Sequence, residues 1–347
     1  MLRLEIDRAR FDAGLKKVAG EFPGLVPVAK GNGYGLGIPR LAVEAAALGA
    51  DTIAVGTAAE VSSVGAVPFE RVVVLTPHLP GDAPPNGQHV VHTVAGAAGI
   101  RELTGRAVVV ECRTSLRRHG VDAGELAAVA DALTGCRPEG FALHLPMNRP
   151  SGVNPVAEVD KWLGRLAGAG LPTDTVWVSH LSAAEINDLT QRHPGTRFRP
   201  RIGTRLWLGD RGALRARARV LDVEQLCRGE RFGYRQRRAR AAGHLLVVAG
   251  GTAHGIGLAA PRALAGVVSR AKLAAEAGLA EVNMALSPFS WAGRQRWFAE
   301  PPHMQVSLLW LPAGVSPPAV GEYLDVDTRM TTTTFDAVVD VSGRLSE

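Results

Sequence analysis

The chain has 347 residues, 46% of them hydrophobic and 21% charged, a globular composition whose length predicts two domains, or one large barrel with an appendage. There is no run of about 18 apolar residues, which excludes a membrane-spanning helix, and the N-terminus MLRLEIDRARFDAG lacks a signal-peptide core, so a cytoplasmic protein is expected. The formal net charge of +6 is carried almost wholly by arginine, densest from Arg197 to Arg240, where the runs RARAR (215–219) and RQRRAR (235–240) hold no aromatic residue to stack bases; a solvated face is expected there, not a nucleic-acid footprint.

In chain order, the first strand is predicted at LVPVAK (25–30), followed by the glycine-rich GNGYGLG and a helix over IPRLAVEAAALGA (38–50). Further strands are predicted at TIAVG (52–56), RVVVLTP (71–77), HVVHTV (89–94), RAVVVEC (106–112), GFALHLP (140–146), TVWVSH (175–180) and FRPRIG (198–203). Helices fall over DAGELAAVADAL (122–133) and VAEVDKWLGRLAGAG (156–170), with Asp122 and Ser182 placed as N-caps and Gly170 as a helix stop. The connections 57–70 and 78–88 carry only weak helical patterns. Eight strands so separated predict an α/β fold, a (β/α)8 TIM-type barrel. After Trp207 strand-like runs dominate: HLLVVAGG, HMQVSLLWL, EYLDVDTRM and FDAVVDV, with one helix near Ala260–Gly278. A mostly antiparallel β domain is expected there. The division is drawn as a barrel over 1–215 and a β domain over 216–347, with residues 1–6 able to pair with the latter. The three cysteines, Cys112, Cys136 and Cys227, have neither the number nor the spacing for a disulfide framework or a zinc site, and no metal is expected.

If 25–30 is the first barrel strand, Lys30 ends it on the face where barrel active sites are built. A partly desolvated lysine there has a lowered pKa and serves as nucleophile or base. Other strands end in polar groups at the same mouth: Glu111, Arg117 and Arg118 after the fifth, His144 on the sixth, Ser182 after the seventh, and Arg201, Gly203 and Thr204 on and after the eighth. The loops after the seventh and eighth strands are the usual phosphate site of such barrels, and a capped helix start adds its dipole. GNGYGLG fails the GxGxxG spacing of a dinucleotide fingerprint from every glycine, but the Tyr34 hydroxyl, four residues beyond Lys30, is placed to reach the same phosphate. A lysine, a phosphate cradle and cationic groups together fit a pyridoxal 5'-phosphate (PLP) site.

VAKGNGYGLG, RRHG, FALHL, SHLSAA and RPRIGTRLWLG, in that order, make the chain resemble the alanine racemase family of fold type III PLP enzymes. The resemblance implies that Lys30 holds PLP as an imine and later shuttles the α-proton. It implies that Tyr34, Ser182, Gly203 and Thr204 hold the phosphate, that Arg201 donates to the pyridine nitrogen, and that His144 lies beneath the ring. Arg118 would sit near the cofactor's phenolic oxygen and the substrate carboxylate. A guanidinium on the ring nitrogen leaves it unprotonated, a weaker electron sink suited to simple proton exchange. The family's second base is a tyrosine from the partner subunit's β domain, so a homodimer with shared active sites and a small amino-acid substrate are implied.

The departures bear on the reaction. In AGGTAHG (249–255) Thr252 stands where that tyrosine is expected, and an aliphatic hydroxyl is a far poorer base than a phenol. His254, two residues on, is the alternative second base, or else a histidine bonded within its loop. Glu111 stands where some members carry a carbamylated lysine and is expected to orient Arg118; Leu181 replaces an asparagine, and Phe335 a phosphate-site tyrosine. The expected function is interconversion of L- and D-alanine or a related small amino acid. The alternatives are a one-base PLP enzyme, a PLP-binding protein with little or no racemase activity, or a barrel hydrolase or binding module in which Lys30 is merely structural.

Overall fold

The structure is a computed structural model that describes residues 1–258 and 285–341; the helix expected near 260–278 lies outside them. The chain forms two compact units, Asp12–Gly209 and a second made of Met1–Phe11 with Asp210–Glu347.

The elements begin with β1 (Leu2–Asp7) and α1 (Arg8–Glu21), after which the first unit alternates β2 (Val26–Pro27), α2 (Ile38–Ala47), β3 (Thr52–Val55), β4 (Arg71–Val74), β5 (Val90–Val94), α3 (Ala97–Glu102) and β6 (Ala107–Cys112). It continues through α4 (Leu126–Leu133), β7 (Arg137–His144), α5 (Pro155–Gly168), β8 (Thr175–Ser179), α6 (Ala183–Arg192), β9 (Arg197–Ile202) and α7 (Thr204–Trp207). The eight strands are parallel in the order β2-β9-β8-β7-β6-β5-β4-β3, and a parallel bridge from Val28 to Ala54 closes the ring. All eight predicted strands are present in sequence order. Alternation explains the inside: Val26, Val28, Ala54, Val73, Val91, Val109, Ala142 and Trp177 project inward and pack as the barrel core.

Two connections depart from the ideal unit. Residues Ala58–Val64 make only a 3-10 turn, and 78–88 forms no helix, because Pro80, Pro84 and Pro85 remove backbone donors. The lysine-bearing strand β2 has only two ladder residues. Its path is extended by bonds from the Val28 N–H to the Ile202 carbonyl (3.0 Å) and from the Ala29 N–H to the Ala54 carbonyl (2.8 Å). The Trp207 indole donates to the Val28 carbonyl at 2.8 Å. At the opposite end of the strands, Arg199 grips the Asp51 carboxylate with both terminal nitrogens.

The second unit adds β10 (Leu214–Leu226), the hairpin β11 (Arg231–Phe232) and β12 (Arg237–Arg238), β13 (Gly243–Ala249), β14 (Leu286–Trp291), β15 (Arg294–Phe298), β16 (Val306–Pro312), β17 (Tyr323–Val326) and β18 (Ala337–Val341). Its large sheet runs β13-β16-β15-β14-β17-β10-β1-β18, antiparallel except where β1 lies parallel to β18. The long β10 bends at a bulge between Val220 and Asp222 and pairs with β13 beyond it. Inside lie Leu2, Ala218, Val220, Leu246, Val248, Phe289, Leu309 and Leu324, all buried. The arginine-rich stretch is paired within this unit: Arg215 holds Asp325 (2.7 Å) and Arg217 donates to the Tyr323 carbonyl (2.9 Å). Among the described residues no helix is long and apolar enough to cross a membrane.

Candidate active site

Two residues past the core layer, the inward alternation reaches the mouth with Lys30 after Val28, Gly56 after Ala54, Thr93 after Val91, Glu111 after Val109, His144 after Ala142 and Ser179 after Trp177. On β9 the same parity runs from Arg199, whose guanidinium lies 5.2 Å from the Trp177 ring centre, to Arg201. Chemistry replaces packing in a single layer.

Lys30 is exposed at the rim, with its stem against Gly56: a Cβ there would stand 3.0 Å from that of Lys30. Glu60 fastens the two loops by accepting from the Gly31 N–H (3.0 Å) and the Gly56 N–H (2.7 Å). The Lys30 ammonium is held below its ordinary pKa, first by desolvation and then by Arg118, with Glu60 opposing and Arg201 adding.

The glycines of GNGYGLG supply a left-handed path. Gly31, Gly33, Gly35 and Gly37 all have positive φ, and Tyr34 shares it at 56°. That turn buries Tyr34, whose hydroxyl bonds Thr204 and abuts Gly203, where any Cβ would collide with it. Burial pushes the phenol up to about 12, with Thr204 offsetting part of the effect, so it stays a neutral hydrogen-bonding group. Tyr34, Gly203 and Thr204, predicted to share one role, are one cluster.

Arg201 is buried, donates from Nε to the Ser179 hydroxyl (3.1 Å) and pairs with Glu111 at 3.1 Å. The expectation that Glu111 orients Arg118 is corrected here. Inward parity on β6 aims its carboxylate at β9, whereas Arg118 stands exposed on the turn beyond, 3.4 Å from the His119 ring nitrogen. Arg201 Nη2, Glu111 Oε1 and Thr93 Oγ1 are buried in this layer and have no hydrogen-bond partner among the described residues. Each unmade bond of that kind costs about 1–3 kcal/mol, so the layer is built to receive complementary polar atoms. PLP fits: Nη2 offers a donor for a ring nitrogen, Lys30 an amine for a carbonyl, and the Tyr34 cluster hydroxyls for a phosphate.

His144 is half-buried in the same mouth, its ring edge-on to that of His180 with centres 5.1 Å apart. Desolvation first, then Arg201, Arg118, His180 and Lys30, depress it to about 2, which keeps the imidazole neutral. Ser182 caps α6: its hydroxyl accepts from the Glu185 N–H (3.3 Å) and donates to the Glu185 carboxylate (2.9 Å). Leu181 is buried beside it. Sequence reasoning missed Glu60, Ser179, Thr93 and Glu185. Thr57-x-x-Glu60 and Ser182-x-x-Glu185 are capping-box patterns that could have found two of them, and strand parity the others.

In the β unit, Thr252 is exposed and donates its N–H to the His303 carbonyl at 2.8 Å. His254 is buried, with Nε2 3.0 Å from an Asp336 oxygen and Nδ1 accepting from the Gly251 N–H at 3.3 Å. Held that way, it has no free lone pair. Phe335 packs on the apolar core of this unit.

The family description "Alanine racemase, N-terminal domain" matches residues 6–200. Among solved structures, an alanine racemase from Bartonella henselae with covalently bound pyridoxal phosphate is 16% identical over 98% of this chain and 99% of that one, with a TM-score of 0.70. One from a D-cycloserine-producing Streptomyces lavendulae is 19% identical, covering 99% of this chain and 97% of that one, TM-score 0.66. A histidine racemase from Leuconostoc mesenteroides subsp. sake is 16% identical, covering 98% and 97%, TM-score 0.63. No curated protein sequence matches the chain. At these identities the structures speak for the fold, and the family match extends from β1 into β9, across the lysine turn and the polar layer as far as Ser179: the chain belongs to the alanine racemase family.

Proposed function

We propose that this protein is a PLP-dependent amino-acid racemase acting on alanine or a similarly small amino acid, cytoplasmic, and a homodimer in which each active site draws on both chains. The carrying observation is Lys30 at the barrel mouth with a depressed pKa, over the buried Arg201 whose Nη2 has no partner among the described residues. Bound there, PLP would supply a conjugated system that takes up the electron pair released when the α-proton leaves.

The residues divide the remaining work. Lys30, held below its ordinary pKa by desolvation and by Arg118, takes or returns the α-proton on one face. Arg201, fixed by Glu111 and Ser179, would hold the cofactor ring by its unpartnered Nη2. His144, whose depressed pKa keeps the imidazole neutral, would pack against the cofactor without adding charge. Tyr34, Gly203 and Thr204 would hold the phosphate, the start of α6 that Ser182 caps would add its dipole, and Arg118 would take the substrate carboxylate. The second proton-transfer group comes from the β unit, where Thr252 and His254 stand in the expected segment. A one-base or PLP-binding role is the second reading, favoured by the aliphatic hydroxyl of Thr252 and the fully engaged ring of His254.

The test is direct. Purified protein should absorb in the visible, and borohydride should fix the cofactor on Lys30; a colourless protein that ignores added PLP would sink both readings. With L-alanine in deuterated water, α-label with inversion supports racemisation, whereas label with retention supports the one-base reading.

A further inference from the structure

The β unit contains a cavity of about 660 Å³ that Thr252 lines together with Tyr234, Glu300, His303 and Met304. Backbone bonds tie its two sides: besides Thr252 to His303, the Ala253 N–H donates to the Met304 carbonyl at 3.0 Å. Gly251 permits the approach, since a Cβ there would strike the His303 carbonyl. His303 Nε2 lies 2.6 Å from Glu300, whose side chain is only 2% exposed. Gly233, at φ 69°, leaves room for that carboxylate, and the Tyr234 N–H donates to it at 3.4 Å. The Tyr234 ring covers the imidazole with centres 4.4 Å apart.

A carboxylate only accepts, so a ring hydrogen sits on Nε2, and in the neutral imidazole the lone pair is then on Nδ1. Among the described residues that Nδ1 has no hydrogen-bond partner. A histidine that lines a cavity, with one nitrogen pinned by a buried carboxylate and the other unbonded, is the arrangement of a general base. His254 lacks the free nitrogen and Thr252 lacks the basicity; His303 has both and shares the Thr252 cavity.

We propose that His303 is the second proton-transfer residue, with Glu300 its positioning residue. The inference rests on the reading that the β unit supplies the second proton. For one antipode Nδ1 takes the α-proton as the C–H bond breaks, and Lys30 forms the new C–H bond on the opposite face. For the other antipode the roles exchange. The electron pair remains with the substrate–cofactor system, so nothing is oxidised or reduced.

PLP-loaded wild type and His303→Gln are incubated with L- and D-alanine in deuterated water, and the configuration of labelled alanine is read by chiral separation and mass spectrometry. The expected result is inversion in the wild type and a loss of roughly 100-fold or more in His303→Gln, the scale of general acid–base catalysis, with single-face exchange by Lys30 retained. A second readout, nitrogen-15 NMR of histidine-labelled protein, should find His303 protonated on Nε2 in the wild type, with that preference weakened in Glu300→Gln. Inversion in His303→Gln within about threefold of wild type, or a proton on Nδ1, overturns the assignment and leaves the racemase reading standing. A wild type that exchanges nothing, or exchanges only with retention, overturns both.

Discussion

At Gly203 space requires the glycine, because an added Cβ would collide with the Tyr34 hydroxyl. An added methyl group would press on the Tyr34 hydroxyl and displace it from Thr204. Gly203→Ala should therefore weaken PLP affinity by about tenfold or more, some 1.4 kcal/mol, without unfolding the barrel. Titration of the bound-cofactor absorbance measures it, and unchanged affinity would remove Tyr34 from the phosphate site. Glu111 acts differently, through charge. Glu111→Ala leaves Arg201 as an uncompensated buried cation, at a cost of about 3–5 kcal/mol in urea unfolding of the apoprotein; Glu111→Gln, which keeps an acceptor, should lose less. Its partner was not legible in the sequence. Arg118 is seven residues away in the chain, whereas Arg201 is 90 away and reached only because both strands turn the same parity inward.

At the scale of elements, β2 is the weak member and carries Lys30. Trp207→Phe removes the donor to the Val28 carbonyl and should cost about 1 kcal/mol, with faster amide exchange at Val28 and Ala29. Unchanged exchange would show that the ladder bonds alone hold the strand. Below the barrel, the hydrogen bond from Arg199 is the main reason Asp51 sits at about 2, against its ordinary 3.8. A folded-state pKa below the unfolded one gives stability that is present above about pH 4 and lost as pH falls toward 2. Asp51→Asn should lower stability at neutral pH by about 1–2 kcal/mol and flatten that acid limb in urea melts taken as a function of pH. Alternation of β-branched residues made all eight barrel strands legible, and parity then made Lys30, His144 and Arg201 legible at their ends. The same parity carried Thr93 and Ser179, but an uncharged hydroxyl on a strand looks like any other core neighbour. The weak helix over 78–88 failed to form because proline controls the backbone there. Glu300 and His303 were passed over because their spacing of three signals contact only on a helix, and here a loop brings them together.

At the scale of the whole molecule, shared active sites predict complementation. Lys30→Ala and His303→Gln chains, each nearly inactive, should on mixing and exchange recover about a quarter of wild-type racemisation, because half the dimers are mixed and each has one complete site. No recovery, with mixed dimers shown by native mass spectrometry, would place both groups in one chain. The Glu111–Arg201 pair bears on the life of the molecule before any of this. Because Glu111 already answers the charge of Arg201 inside the barrel, that buried guanidinium does not depend on a ligand for its counter-charge. On that ground the chain is expected to fold before the vitamin-derived group arrives, and its supply would then set the active fraction of an amount set by synthesis.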